Sequence, residues 1–290
     1  MTFNLFLEQA LNGVQLGVML FLMSAGLTLV FGIMNLINLA HGSLYMLGAF
    51  FAAAVTNATG SFLVGVLVAV PATALAGALL ERVLLRRFYE RTHLDQVLVT
   101  FGLILVLNEV VRIIWGGVPL RFSLPPLLNG SVEILAGVPY PVFRLAILAV
   151  GLVVALGLYV VIQHTRIGMW IRAGASNRQI AGAMGVDVEL VFVLVFSAGA
   201  ALAGLAGLMA GPILAVQVGM GESILILALV VTVIGGIGSV KGALVAALAI
   251  GIIDTFGRVL LSPALGSMII FIAMAAILAI RPKGLFPVHG

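Results

Sequence analysis

Apolar runs long enough to cross a lipid bilayer recur along this chain, and polar residues are mostly confined to the gaps between them. That pattern leaves one kind of backbone. A segment in hydrocarbon must satisfy its own N–H and C=O groups, and runs of this length do so as helices. The runs fall at about 8–33, 39–57, 62–81, 94–114, 144–162, 190–211, 223–234, 242–260 and 266–280. The run at 223–234 is short against the roughly 20 residues of a full span. The expected architecture is therefore an all-α polytopic membrane protein with eight or nine membrane helices or half-helices, built as a single transmembrane domain over residues 1–290. Composition agrees: 63% of the residues are hydrophobic and 8% are charged, where soluble domains carry about a quarter charged. Almost every residue is needed for spans and short loops, which excludes an extracellular catalytic domain.

The basic residues set the expected orientation, because cytoplasmic loops are enriched in Lys and Arg. The first 81 residues contain neither. A secretory signal peptide needs a basic start, so none is expected, and the N-terminus is expected outside. Arg82, Arg86, Arg87 and Arg91 crowd one inner loop. The Pro-rich stretch 115–144 lies outside by alternation, and Arg281 and Lys283 return the chain inside. The net charge of +4 is thus an orientation signal and not a nucleic-acid footprint. The chain has no cysteine, which excludes disulfides and thiolate metal sites.

One inner gap is more than a connection. Residues 163–189 read QHTRIGMWIRAGASNRQIAGAMGVDVE and carry Arg166, Arg172 and Arg178. Within them, residues 176–185 have the pattern of a short amphipathic helix. Ser176 is its expected N-cap, with Gln179 completing a capping box, and Gly185 sits where a glycine ends a helix. Ile180, Ala181 and Met184 fall on one side at helical spacing. A helix this short needs something to dock against. It is either a surface-lying loop helix or a docking piece for a soluble partner.

Several polar residues fall inside or beside the apolar runs. Asn35, Asn38 and His41, spaced i, i+3 and i+6, form a loose polar face if the helix is continuous; they either hydrogen-bond neighbouring helices or line a path. Glu109 with Arg112 and Asp254 with Arg258 have the spacing of self-neutralising pairs, and the structural reading is preferred. Gly235, Gly236 and Gly238 mark either a helix break near the membrane midplane or, preferred, a tight turn. There is no P-loop, no H-E-x-x-H and no G-x-S-x-G. The four histidines are His41, His93, His164 and His289, and none makes a pair at metal spacing. No cofactor, metal or catalytic site is expected.

Residues 26–49, GLTLVFGIMNLINLAHGSLYMLGA, resemble the signature of the permease subunits of ABC importers for branched-chain amino acids, close to G-L-T-L-x-F-G-x-M-x-x-x-N-x-A-H-G-x-x-Y-M-x-G-A. Arg172-Ala173 through Asn177, Ala181 and Gly185 resemble that family's cytoplasmic coupling segment. Gly235-Gly236-Ile237-Gly238-Ser239 and the ending Arg281-Pro282-Lys283-Gly284-Leu285-Phe286 resemble its C-terminal third. Ser43 departs from the pattern, since relatives commonly carry an acidic residue there; the departure bears on the substrate.

The resemblance implies half of an importer in a bacterial or archaeal cytoplasmic membrane. A second, different permease would complete the path, two cytoplasmic ATPase subunits would dock on the 163–189 segments, and a soluble substrate-binding protein would deliver cargo, with the outer stretch 115–141 as its expected contact. Asn35, Asn38, His41, Gly42, Gly235, Gly236 and Gly238 are the translocation-path candidates. Arg172, Ser176, Asn177, Ile180, Ala181, Met184 and Gly185 are the coupling candidates. The rivals are a permease for urea or short amides, an ion-coupled secondary carrier, and a membrane hydrolase, which the absent site disfavours.

Overall fold

The computed structural model describes residues 3–135 and 138–286; His289 lies outside them. The helices in chain order are α1 (Phe3–Met34), α2 (His41–Thr59), α3 (Phe62–Val83), α4 (His93–Trp115), α5 (Val142–His164), α6 (Arg166–Ser176), α7 (Arg178–Ala183), α8 (Val188–Ala210), α9 (Met220–Gly235), α10 (Val240–Leu260) and α11 (Pro263–Ile280), with a short 3₁₀ turn at Leu85–Phe88 after α3. Of these, α1, α3, α4, α5, α8, α10 and α11 are long and apolar enough to cross a membrane. The chain is an all-α multi-pass membrane protein, with α9 as a shorter apolar helix and α2, at 19 residues, buried within the bundle.

Polar side chains close several helix starts. Thr92 and Asp95 form a capping box on α4, Asp187 accepts from the Leu190 amide on α8, and Ser239 accepts from the Gly242 amide on α10. Such caps satisfy donors that the first turn leaves open.

α1 is the central element and packs on α10, α8, α9 and α5, while α8 also packs on α2 and α3. Lipid gives helices little hydrophobic reason to associate, so close approach of small residues carries the contacts. Gly13 and Gly17 of α1 lie against the backbone of α10 at residues 247–252, Gly26 of α1 against Gly199 of α8, and Gly48 of α2 against Gly204 of α8.

The basic segments gather at one end. Arg86 bonds Glu189 at 2.7 Å, and Arg178 stacks over the Phe192 ring at 4.9 Å. The outer stretch closes the opposite end. It holds a two-stranded antiparallel hairpin, β1 (Ser131–Leu135) with β2 (Val138–Pro141), in which Val132 pairs with Tyr140. Composition alone did not announce this hairpin; the prolines at 139 and 141 lie on what is an edge strand, where a missing donor is tolerated. Leu120 and Val216 exchange backbone bonds of 2.8 and 3.0 Å, tying this stretch to the loop after α8.

One conditional reading is decided and one expectation is corrected. Asn35, Asn38 and His41 do not share a continuous helix: Asn35 has φ 51, and residues 35–40 are non-helical. Asparagine is among the few residues that enter the left-handed region readily, and α1 stops there. The cap expected at Ser176 forms at Asn177, whose side chain accepts from the Ile180 amide at 3.0 Å. Ser176 is still helical as the last residue of α6, while Asn177 has the extended φ −155 and ψ 109 that a cap adopts.

Three expectations match the geometry. Arg112 bonds Glu109 at 3.1 Å and Arg258 bonds Asp254 at 2.8 Å. Gly236 (φ 98) and Gly238 (φ 84) make a turn joining α9 to α10, and the C-terminal stretch is stitched to it by bonds from the Leu285 amide to Ile234 O and from the Phe286 amide to Gly235 O.

Candidate functional site

The break after α1 returns the chain into the bundle. The His41 ring, at the first residue of α2, has Nε2 3.2 Å from the carbonyl oxygen of Met23 on α1. Met23 lies about 16 Å back from the end of α1 at 1.5 Å per residue, so α2 starts at depth and not at the surface. The second half of the chain repeats the device. α8 ends at Ala210, residues 211–219 fold back, and α9 begins at Met220 after Gly219 at φ 83. Gly42 and Gly221 lie back to back, each leaving no room for a Cβ on the other. Two helix N-termini therefore meet inside the protein, and helix N-termini carry positive partial charge.

Around this meeting point polar groups are sealed in, and several of their atoms have no partner. Asn38 is 1% exposed and His41 0%. Both side-chain polar atoms of Asn38, and Nδ1 of His41, have no hydrogen-bond partner. Thr28 donates to Thr232 at 3.3 Å, joining α1 to α9. A buried polar group without a partner costs about 1–3 kcal/mol, so an apolar residue would pack at Asn38 at no structural loss. Asn38→Leu is accordingly expected to keep or raise thermal stability in detergent while lowering transport about tenfold or more, which a scan of melting temperature and an uptake assay would separate. Equal uptake would return Asn38 to a packing role. Ser43, in the first turn of α2, is buried beside these groups.

The path candidates thus divide. Asn38, His41 and Gly42 are together; Asn35 is exposed at the basic end, and Gly235, Gly236 and Gly238 form the turn near that end, close to Gly32 of α1. Sequence reasoning missed Gly219 and Gly221 as the second break. The signal is the pair of glycines flanking Met220, just before the apolar run at 223–234.

At the basic end, α6 and α7 form one unit. Thr165 caps α6 and Asn177 caps α7. Gly185 has φ 86; the Gly185 amide bonds Gly182 O at 3.0 Å and the Val186 amide bonds Ala181 O at 3.1 Å, which is the Schellman closure. The expected shared face is split: Ala181 is buried, while Ile180 is 59% and Met184 81% exposed. Ala181 seats the helix and the two larger side chains point away from the bundle. Arg172 donates to the carbonyl of Ile162 in α5, and Arg178 donates to the carbonyl of Met34 at the end of α1. Arg178 was legible only as a basic residue; its bond spans 144 positions.

Beside α7, a cavity of about 300 Å³ is lined by Arg86, Arg87, Tyr89, Arg178, Glu189 and Phe192 among others. The Tyr89 hydroxyl donates to Glu81 at 2.5 Å. Burial, and next that bond to a carboxylate, hold the phenol well above its ordinary range, so Tyr89 stays a donor at any physiological pH. Arg86 reaches both Glu81 at 3.4 Å and Glu189 at 2.7 Å, joining α3 to α8.

The family described as branched-chain amino acid transport system, permease component, matches residues 9–278. The chain is 30% identical to the high-affinity branched-chain amino acid transport system permease protein LivH of Escherichia coli K12, over 98% of this chain and 96% of that one. It is 28% identical to the corresponding BraD of Pseudomonas aeruginosa, over 97% and 95%. The ribose import permease protein RbsC of Escherichia coli K12 is 27% identical over 87% of this chain and 76% of its own. No solved structure matches.

Proposed function

This chain belongs to the permease components of the branched-chain amino acid transport systems, and from that premise we propose that it forms half of the passage of an ABC importer for branched-chain or other small apolar amino acids. The passage runs in the cytoplasmic membrane between this chain and a second, different permease subunit. Two ATPase subunits grip the α6–α7 units, and a soluble binding protein delivers cargo at the hairpin end. The observation that carries the reading is α7: a capped helix seated by Ala181, showing Ile180 and Met184 to solvent at the end where the arginines gather. An apolar pair of that kind suits a groove on a partner.

The unit has a way to act at depth. Arg178 holds the Met34 carbonyl, and Asn35, the next residue, is the left-handed pivot from which the chain runs to Asn38 and His41. A displacement of α7 by the ATPases is thereby passed to the residues at the meeting point of α2 and α9, a hinge of the kind that switches access. Arg178→Ala is expected to leave the complex assembled but to cut uptake per ATP hydrolysed severalfold; an unchanged ratio would remove Arg178 from the linkage.

The overall reading is tested by purifying the chain with whatever subunits it retains, identifying them by mass, and reconstituting them. ATP-dependent uptake of labelled leucine supports it. Uptake of ribose or urea in place of leucine reassigns the cargo, and uptake by this chain without ATPase subunits replaces the importer with an ion-coupled carrier.

A further inference from the structure

Most of the acidic residues in the membrane helices are neutralised or capping. Glu81 is held by Tyr89 and Arg86, Glu109 by Arg112, and Asp254 by Arg258. Asp95 belongs to the capping box of α4. Two have no Lys or Arg partner among the described residues: Glu8, in the second turn of α1 near the start of that helix, and Glu222, in the first turn of α9. The bond that Glu222 makes is to a neutral group: the Asn108 side chain of α4 donates to its Oε1 at 2.8 Å.

Its depth makes this arrangement unusual. From Glu222, α9 continues to the turn at Gly235, about 20 Å at 1.5 Å per residue, so the carboxylate lies well inside a hydrocarbon layer about 30 Å thick. It is also near the meeting point, since the adjacent Gly221 lies against Gly42. Yet Glu222 is exposed on the surface of the lone chain. A carboxylate aimed at lipid is costly, and such residues face a bundle interior or a water-filled cavity. α4 packs on α2, and Asn108 spans the gap from α4 to α9. That bond holds the carboxylate between α4 and α9 on the exposed side of the chain.

We propose that Glu222 is the counter-charge that receives the cationic α-ammonium group of the substrate as it passes between α4 and α9 toward the meeting point of the two helix starts; this rests on the amino-acid cargo proposed above. Asn108 occupies one carboxylate oxygen and brings no positive charge, so it orients the group without satisfying it. Oε2 remains for the ligand. The first turn of α9, free of a side chain at Gly221, lies against Gly42 and so brings Glu222 close to the start of α2, where His41 sits. The second permease covers this exposed side.

The test uses the assembled importer in proteoliposomes with its binding protein. Glu222→Gln keeps an oxygen to accept from Asn108 and removes only the charge. Loss of a contact to a charged group corresponds to roughly a ten- to hundredfold effect. Leucine uptake is expected to fall by that much while binding-protein-stimulated ATP hydrolysis persists, with Glu222→Asp recovering part of the loss. Because the chain has no cysteine, Glu222→Cys gives a second readout: a membrane-impermeant cationic thiol reagent should label it from the outer side. Wild-type uptake by Glu222→Gln overturns the proposal, as does a thiol that never reacts in the assembled complex. Loss of uptake in Asn108→Leu with Glu222→Gln unaffected overturns it too, in favour of a tether between α4 and α9. A wild-type complex that moves ribose but not leucine overturns the cargo reading and the ammonium assignment together, whereas failure of Glu222→Gln to differ from a leucine-moving wild type overturns the assignment alone.

Discussion

In reconstituted vesicles the double variant Ile180→Asp, Met184→Asp will insert and fold as the wild type does but will fail to couple ATP hydrolysis to uptake. Both side chains are largely outside the bundle, at 59% and 81% exposure, so neither substitution opens a cavity in the core. Each puts a carboxylate where a partner groove must exclude water. Apolar anchors of an interface are commonly worth about 2 kcal/mol or more each, so the pair should weaken docking by well over a hundredfold, and the ATPases should be lost on size-exclusion chromatography. The helix itself has reason to survive: its Asn177 cap and Gly185 closure are untouched. Full transport by the double variant would show that α7 is an ordinary surface loop helix.

The second large effect concerns folding and not function. Gly207→Val will prevent α8 from seating on α2. A Cβ at position 207 would overlap the carbonyl oxygen of Tyr45 and approach the amide of Ala49. Backbone atoms within helices cannot swing aside as a side chain can. The helices must separate along their length, breaking the neighbouring contact of Gly48 with Gly204. Overpacking in a core costs about 1–3 kcal/mol even when side chains give way; a backbone collision should exceed that, against a total stability on the order of 5–15 kcal/mol. Little monodisperse protein should be recovered in detergent. Gly157→Ala on α5, where a Cβ meets nothing within 4 Å, should behave as the wild type, and a normal yield from Gly207→Val would mean that the α2–α8 contact is looser than described.

How far the chain could be read in advance depends on how local each cause is. Hydropathy found the spans, because burial in lipid acts on each run separately. Positive charge found the basic end for the same reason. The pairs Glu109–Arg112 and Asp254–Arg258 and the Gly185 closure were legible since their partners lie within one helical turn. The α7 cap was misplaced by one residue because Ser176 and Asn177 are both good caps, and only the continuation of α6 through Ser176 decides between them. The left-handed turn at Asn35 was hidden, since nothing in I-M-N-L-I-N-L forbids a helix. What the local pattern cannot carry is the return of α2 to the level of Met23, or the bonds from Asn108 to Glu222 and from Arg178 to Met34, spanning 114 and 144 positions. Those exist only once distant helices have docked, and the candidate site is made of them.

The central place of α1 imposes an order on biogenesis. α1 leaves the ribosome before the helices it packs on: α5, α8, α9 and α10 are all made later, the last only near residue 260. Its glycine-lined flank waits for α10 while most of the chain is still being translated. The nascent protein must therefore be held at the translocon, or shielded by an insertase, until the final third arrives. Ribosome-stalled chains ending before α10 should remain crosslinkable to that machinery, and chains released there should fall to quality-control proteases.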